Sequence, residues 1–153
     1  MLFRSEAGLP PYGSIKSAVG IGALLLQGIG DTIRVSISAD PLEEIRVCKQ
    51  ILKSLHLFNK EPEVISCPTC GRIEIDLIKI TKEIEERLMK LGKPIKVSVM
   101  GCVVNGPGEA READWGIAGG RKQGAIFRKG KILKWVAEDK LVDEFMKMVE
   151  AEA

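Results

Sequence analysis

The chain has no charge excess of one sign, no long apolar run, few aromatics and only one histidine. Its 23 basic and 21 acidic residues are interspersed and leave a formal charge of +2, so there is no polybasic footprint for nucleic acid or an anionic membrane. The start, "MLFRSEAGLPP", has no apolar signal region. The segment "SAVGIGALLLQGIG" is broken by glycines and too short to span a bilayer, so the expected location is cytoplasmic. With His56 as the single histidine and no second CxxC, the sequence lacks the extra ligand pair that normally closes a zinc ribbon. No internal repeat or low-complexity run is present. What remains is a 153-residue chain, 45% hydrophobic and 5% aromatic, long enough for a real core and typical of a soluble α/β protein.

The clearest element lies in "DTIRVSISADPLEEIRVCKQILKSL", residues 31 to 55. Ile33, Val35 and Ile37 alternate with Arg34, Ser36 and Ser38, the period of a strand with two unlike faces. Asp40 then offers an N-cap, Pro41 a first helical residue and Glu43 a capping-box acid. Leu42, Ile45, Cys48, Leu52 and Leu55 recur at helical spacing. Upstream, "SIKSAVGIGALLLQGIG" reads as a buried, glycine-rich helix ending near Gly28 to Gly30, preceded in "LFRSEAG" by the end of another strand.

A Pro-containing stretch, "HLFNKEPEV", marks a boundary near residue 60. Beyond it, "EVIS" is a strand that runs into Cys67. The stripe Leu77, Ile80, Ile84, Leu88 and Leu91 is a helix stopped by Gly92 and Pro94, and Ile95, Val97 and Val99 form a strand leading to Gly101 and Cys102. Strand, helix, strand implies a right-handed crossover between parallel strands. Cys67 and Cys102 would then leave the same sheet edge, where α/β ligand sites form. The remainder reads as short strands, a hairpin turn near Lys129-Gly130, and a terminal amphipathic helix using Leu141, Phe145 and Val149.

Four cysteines in such a chain point to metal or redox chemistry rather than disulfides. Cys48 falls on a helix stripe, where a thiol packs as a small hydrophobe. "CPTCGR", with Cys67 and Cys70, is compatible with a zinc knuckle, a redox dithiol or one arm of an iron–sulfur cluster. The dithiol reading leaves Cys102 unused. Three thiolates plus an oxygen ligand suit a [4Fe–4S] cluster with one differentiated iron. Glu109 in "GCVVNGPGE" is a candidate for that oxygen, although its spacing alone favours a helix-start acid after Pro107-Gly108. Asn105 reads as a turn-stabilising residue before Gly106. A zinc-stabilised binding module holding Cys67, Cys70, Cys102 and Glu109 for structure alone, or a barrel remnant, are the competing readings.

"CPTCGR" with "GCVVNGPGEA", together with "SEAG", "KSAVGIGALLLQGIGDTIRVSISADPLEEI" and "GIAGG", closely resembles the C-terminal part of the 4-hydroxy-3-methylbut-2-en-1-yl diphosphate synthase (GcpE) family nearly end to end. The resemblance implies the last βα units of a TIM-type barrel over residues 1–60 and a small α/β [4Fe–4S] cluster-binding domain over 61–153. It implies Cys67, Cys70, Cys102 and Glu109 as cluster ligands. Arg34 and Ser36 become ligands of the substrate diphosphate, Glu6 a residue that handles protons beside the substrate, and Asn105 a residue that touches substrate or orients the cluster loop. The implied reaction is reduction of 2-C-methyl-D-erythritol 2,4-cyclodiphosphate in non-mevalonate isoprenoid synthesis, with ferredoxin or flavodoxin as donor and a homodimer at full length. Family members carry a whole barrel, whereas this chain begins at about the seventh strand. The expectation is a fragment that binds a cluster without turning substrate over.

Overall fold

A computed structural model describes residues 2–4, 8–103 and 112–152. The chain divides into two compact units, Met1–Asn59 and Lys60–Ala153.

In the first unit, β1 (Leu2–Arg4) pairs in parallel with β2 (Thr32–Arg34), joined through helix α1 (Tyr12–Leu25). Helix α2 (Pro41–Ser54) follows. Its start is built as expected at Asp40, whose carboxylate accepts the Leu42 N–H at 2.8 Å, with Pro41 opening the helix. Three expectations about this segment need correction. Glu43 pairs with Arg46 at 3.0 Å instead of reaching back to the cap. The strand ends at Arg34 and not at Ile37, because the Ile37 N–H is taken by the Glu44 carboxylate (3.1 Å) and the Ser38 N–H by the Gly8 carbonyl (2.9 Å). Ser36 is consequently buried beside Val35 and Ile37, not on an open polar face shared with the exposed Arg34.

Glu44, held on the Ile37 backbone, also fixes the rotation of α2. Val47, Cys48, Ile51 and Leu55 face inward, and Leu42 and Ile45 lie on the outside. The packing expected of Cys48 is present, and the free thiol lies against a cluster of Ile21, Val35, Ile37 and Ile51. Helix α1 is not buried all round. Gly13, Ser17, Ile21 and Gly22 are buried, and Ile15 and Val19 are exposed, since a two-stranded ribbon covers only one helix face.

The second unit is an α/β layer on a mixed five-stranded sheet, with order β3-β4-β5-β6-β7. Strands β3 (Glu63–Ser66), β4 (Lys96–Met100) and β5 (Trp115–Gly120) run parallel. Strands β6 (Gln123–Arg128) and β7 (Lys131–Ala137) return antiparallel as hairpins. Helix α3 (Leu77–Leu91) crosses between β3 and β4, capped by the Asp76 carboxylate on the Lys79 N–H at 3.2 Å. It ends on Gly92 at φ +67°, the left-handed backbone that glycine adopts without strain. After a 3-10 turn at Glu138–Lys140, helix α4 (Leu141–Glu152) closes the unit.

Helices α3 and α4 touch each other and cover one face of the sheet, α3 over β3 and β4, α4 over β6 and β7. Their stripes Ile80, Ile84, Leu88 and Leu141, Phe145, Val149 meet Val97, Val99, Ile117 and Ile126 in one core. Each such side chain contributes about 1.5–3 kcal/mol relative to exposure. Phe145 stands edge-on to Trp115 with centroids 6.3 Å apart. At the rim Arg87 bridges the helices, bonding Asp143 (2.7 Å) and Glu83 (2.6 Å). The Asp143 hydrogen bond raises the Arg87 pKa further above its ordinary value. Strand β4, second in the sheet, is buried on both faces, with Ser98 and Met100 opposite the helices.

Candidate functional site

The parallel strands β3, β4 and β5 end together, and each delivers a loop to that edge of the sheet. Cys67 directly follows β3, and its N–H continues the ladder to the Val99 carbonyl at 3.2 Å. Two residues past Val99, the Gly101 N–H donates to Cys67 Sγ at 3.2 Å. Cys102 is the next residue, so two cysteines 35 positions apart in the chain sit on abutting loops. The Gly101 carbonyl in turn accepts the Glu74 N–H at 3.0 Å, which ties the far end of the Cys67 loop to the same residue.

Between these ties the loop turns at Cys70, whose carbonyl accepts the Ile73 N–H at 3.2 Å. The three sulfurs differ in access: Cys102 is buried, Cys67 half-buried against Met100, Ala118 and Phe127, and Cys70 exposed. The CxxC pair lies in a turn ahead of α3 rather than on its first residues, unlike the placement typical of a redox dithiol. Arg121, at the β5–β6 turn, reaches Glu74 at 3.7 Å across the loop.

All four cysteines are free thiols. Among the described residues no three His, Cys, Asp or Glu side chains are gathered closely enough to hold a metal ion. Glu6, Asn105 and Glu109 lie outside the described residues. Arg34 and Ser36 belong to the other unit, where Arg34 is exposed at the end of β2 and Ser36 is buried two residues on. His56 occupies the left-handed position after α2 at φ 56° and is exposed, a helix-terminus residue. Among the described residues no helix is long and apolar enough to cross a membrane.

Comparison with known families decides how this edge is to be understood. The GcpE protein C-terminal domain matches residues 63–151, over half of the chain, and the GcpE TIM-barrel domain matches residues 4–49. The chain belongs to the GcpE family. Its relatives include the 4-hydroxy-3-methylbut-2-en-1-yl diphosphate synthase (flavodoxin) of Clostridium perfringens, 64% identical over 146 residues, which are 95% of this chain and 42% of the relative. The synthase of the same name from Caldanaerobacter subterraneus is 60% identical over 146 residues, 95% of this chain and 41% of that protein. That of Geobacillus kaustophilus is 58% identical over 146 residues, 95% and 39% respectively. This GcpE chain therefore spans about two fifths of the length of the curated relatives it matches.

Sequence reasoning missed one feature of the edge, Gly119 at the end of β5. A Cβ built there would stand 2.6 Å from the Gly101 carbonyl oxygen. "GIAGG" was visible as a motif, but the strand register that brings it against Gly101 is tertiary.

Proposed function

We propose that this chain is the C-terminal part of an iron–sulfur oxidoreductase that reduces 2-C-methyl-D-erythritol 2,4-cyclodiphosphate to 4-hydroxy-3-methylbut-2-enyl diphosphate. The observation that carries the proposal is the Gly101 N–H on Cys67 Sγ, which makes neighbours of the two cysteine-bearing motifs. In this reading residues 61–153 hold a [4Fe–4S] cluster through Cys67, Cys70, Cys102 and Glu109, and residues 1–60 belong to the substrate-binding barrel. Free thiols on adjoining loops are the soft donors such a cluster takes.

When bound, the cluster supplies single-electron transfer and a Lewis-acidic iron for the departing oxygen. The chain's own residues do the rest. Arg34 and Ser36 bind the diphosphate, for which a guanidinium fork is well shaped. Asn105 contacts substrate or orients the Cys102 loop, and Glu6 handles a proton. The reaction consumes two electrons and two protons, opens the ring and releases one water. Flavodoxin, the donor that the relatives' names specify, or ferredoxin delivers the electrons. A cytoplasmic homodimer, with substrate bound by the complete barrel, is the working form.

Anaerobic reconstitution followed by iron, sulfide and zinc analysis tests the reading. About four irons and four sulfides per chain are expected, lost in Cys102→Ser. One tightly held zinc without sulfide would overturn it in favour of a zinc-stabilised module. In a chain joined to a complete barrel, Glu109→Ala should keep a cluster and lose turnover of the cyclodiphosphate. Normal turnover in that variant would remove Glu109 from the site.

A further inference from the structure

Gly101 is held at both of its backbone polar groups, the N–H on Cys67 Sγ and the carbonyl on the Glu74 N–H. Both partners belong to the loop that carries Cys67 and Cys70, and the residue after Gly101 is Cys102. The backbone of one residue thus sets the spacing between the two cysteine loops. What allows it to lie where it does is on the neighbouring strand. Strand β5 pairs with β4 up to Ala118 opposite Met100, and one residue further Gly119 faces Gly101.

A Cβ on Gly119 would come within 2.6 Å of the Gly101 carbonyl oxygen and within 2.8 and 3.0 Å of Ile75 Cγ1 and Cδ1. The oxygen is backbone, pinned by the Glu74 N–H, and cannot swing aside as a side-chain tip could. Gly120, the next residue, points to the other face of the sheet. A Cβ there would meet Gln123 O at 3.4 Å and Trp135 Cζ3 at 3.6 Å, close to ordinary contact.

We propose that Gly119 is a positioning residue for the cysteine edge. Its missing side chain admits the Gly101 carbonyl against β5, and this seats the Gly101 backbone between the Cys67 and Cys102 loops. The effect on cluster loading rests on the proposed function above, while the effect on the backbone does not.

The test is amide hydrogen exchange of the metal-free chain, followed by NMR, in Gly119→Ala and in Gly120→Ala. In Gly119→Ala the Gly101 and Glu74 amides should exchange about tenfold faster or more, while those of Ile117 and Ile126 keep their protection. Gly120→Ala should leave all four unchanged. Unaltered Gly101 and Glu74 exchange in Gly119→Ala would overturn the proposal.

The double variant Gly119→Ala, Ile75→Ala removes the side-chain clash and retains the one with the Gly101 oxygen. It should fold and keep the fast Gly101 and Glu74 exchange. Restored protection, or failure of this variant to fold, would assign the effect to core packing and also overturn the proposal. Iron and sulfide loading, measured separately, should fall in Gly119→Ala and hold in Gly120→Ala. If even the unaltered chain takes up no iron while the exchange pattern is as described, the ligand reading fails and the positioning role of Gly119 stands.

Discussion

In the unit Lys60–Ala153 two helices and five strands enclose a described cluster of sixteen buried hydrophobic residues, whereas in Met1–Asn59 the cluster has four, Ile21, Val35, Ile37 and Ile51. The first unit also leaves Ile15, Val19, Leu42 and Ile45 more than half exposed on its two helices. Both units are built from the same parallel strand–helix–strand unit, so the difference is not one of local pattern. It lies in how many strands a helix has to cover. Two helices over five strands bury a continuous layer, while two over a two-stranded ribbon bury a narrow seam. Stability should therefore be distributed unequally, with the first unit relying more on caps and backbone ties such as Asp40 on Leu42 and Glu44 on Ile37.

The contrast can be broken most forcefully in the larger core. Phe145→Ala removes a fully buried ring that Trp115 abuts, and should cost about 3–5 kcal/mol of that unit's stability in denaturant unfolding. Ile51→Ala opens the smaller seam at a cost of about 2–4 kcal/mol, and should accelerate exchange at amides of residues 32–55 while leaving β4 to β6 protected. A uniform response across both units would erase the proposed difference. Gly92→Ala forces a side chain into φ +67° and should destabilise the second unit by about 1 kcal/mol, read as a lower urea midpoint by circular dichroism.

The smallest effect concerns the rim. Lys134 at 2.7 Å, and then Lys147 at 3.3 Å, hold the Glu144 carboxyl below its ordinary 4.5. A carboxyl depressed in the folded state stabilises above its unfolded pKa and loses that contribution as pH falls through the folded value. Glu144→Gln should thus melt slightly below the parent at pH 7, and the gap should close on acidification below 4.5. A gap that widens in acid would contradict the pairing.

Much of the architecture is written in local pattern. Asp40-Pro41 and Leu91-Gly92 mark helix ends because caps are satisfied by the residues themselves, and the Lys129-Gly130 turn is readable because both residues take positive φ. The inward face of α2 was not readable, since it is set by the Glu44 bond to a backbone N–H seven residues earlier. The β5–β6 turn at Arg121-Lys122 carries neither Asn nor Gly in the turn itself, yet Lys122 adopts φ 58°. The meeting of the Cys67 loop with Gly101 followed from two strands sharing one direction, a topological inference. The part played by Gly119 depends on β5 lying beside β4, which no spacing within "GIAGG" encodes.

The direction of the strands also separates the two rims of the sheet. Three parallel strands send their loops to the cysteine rim, while the Lys129-Gly130 hairpin, joining β6 to β7, emerges at the opposite one. That hairpin is a natural attachment point for a fluorophore, an affinity tag or a surface tether. A probe placed there would report on the molecule from its blunt end and leave the sulfur chemistry undisturbed.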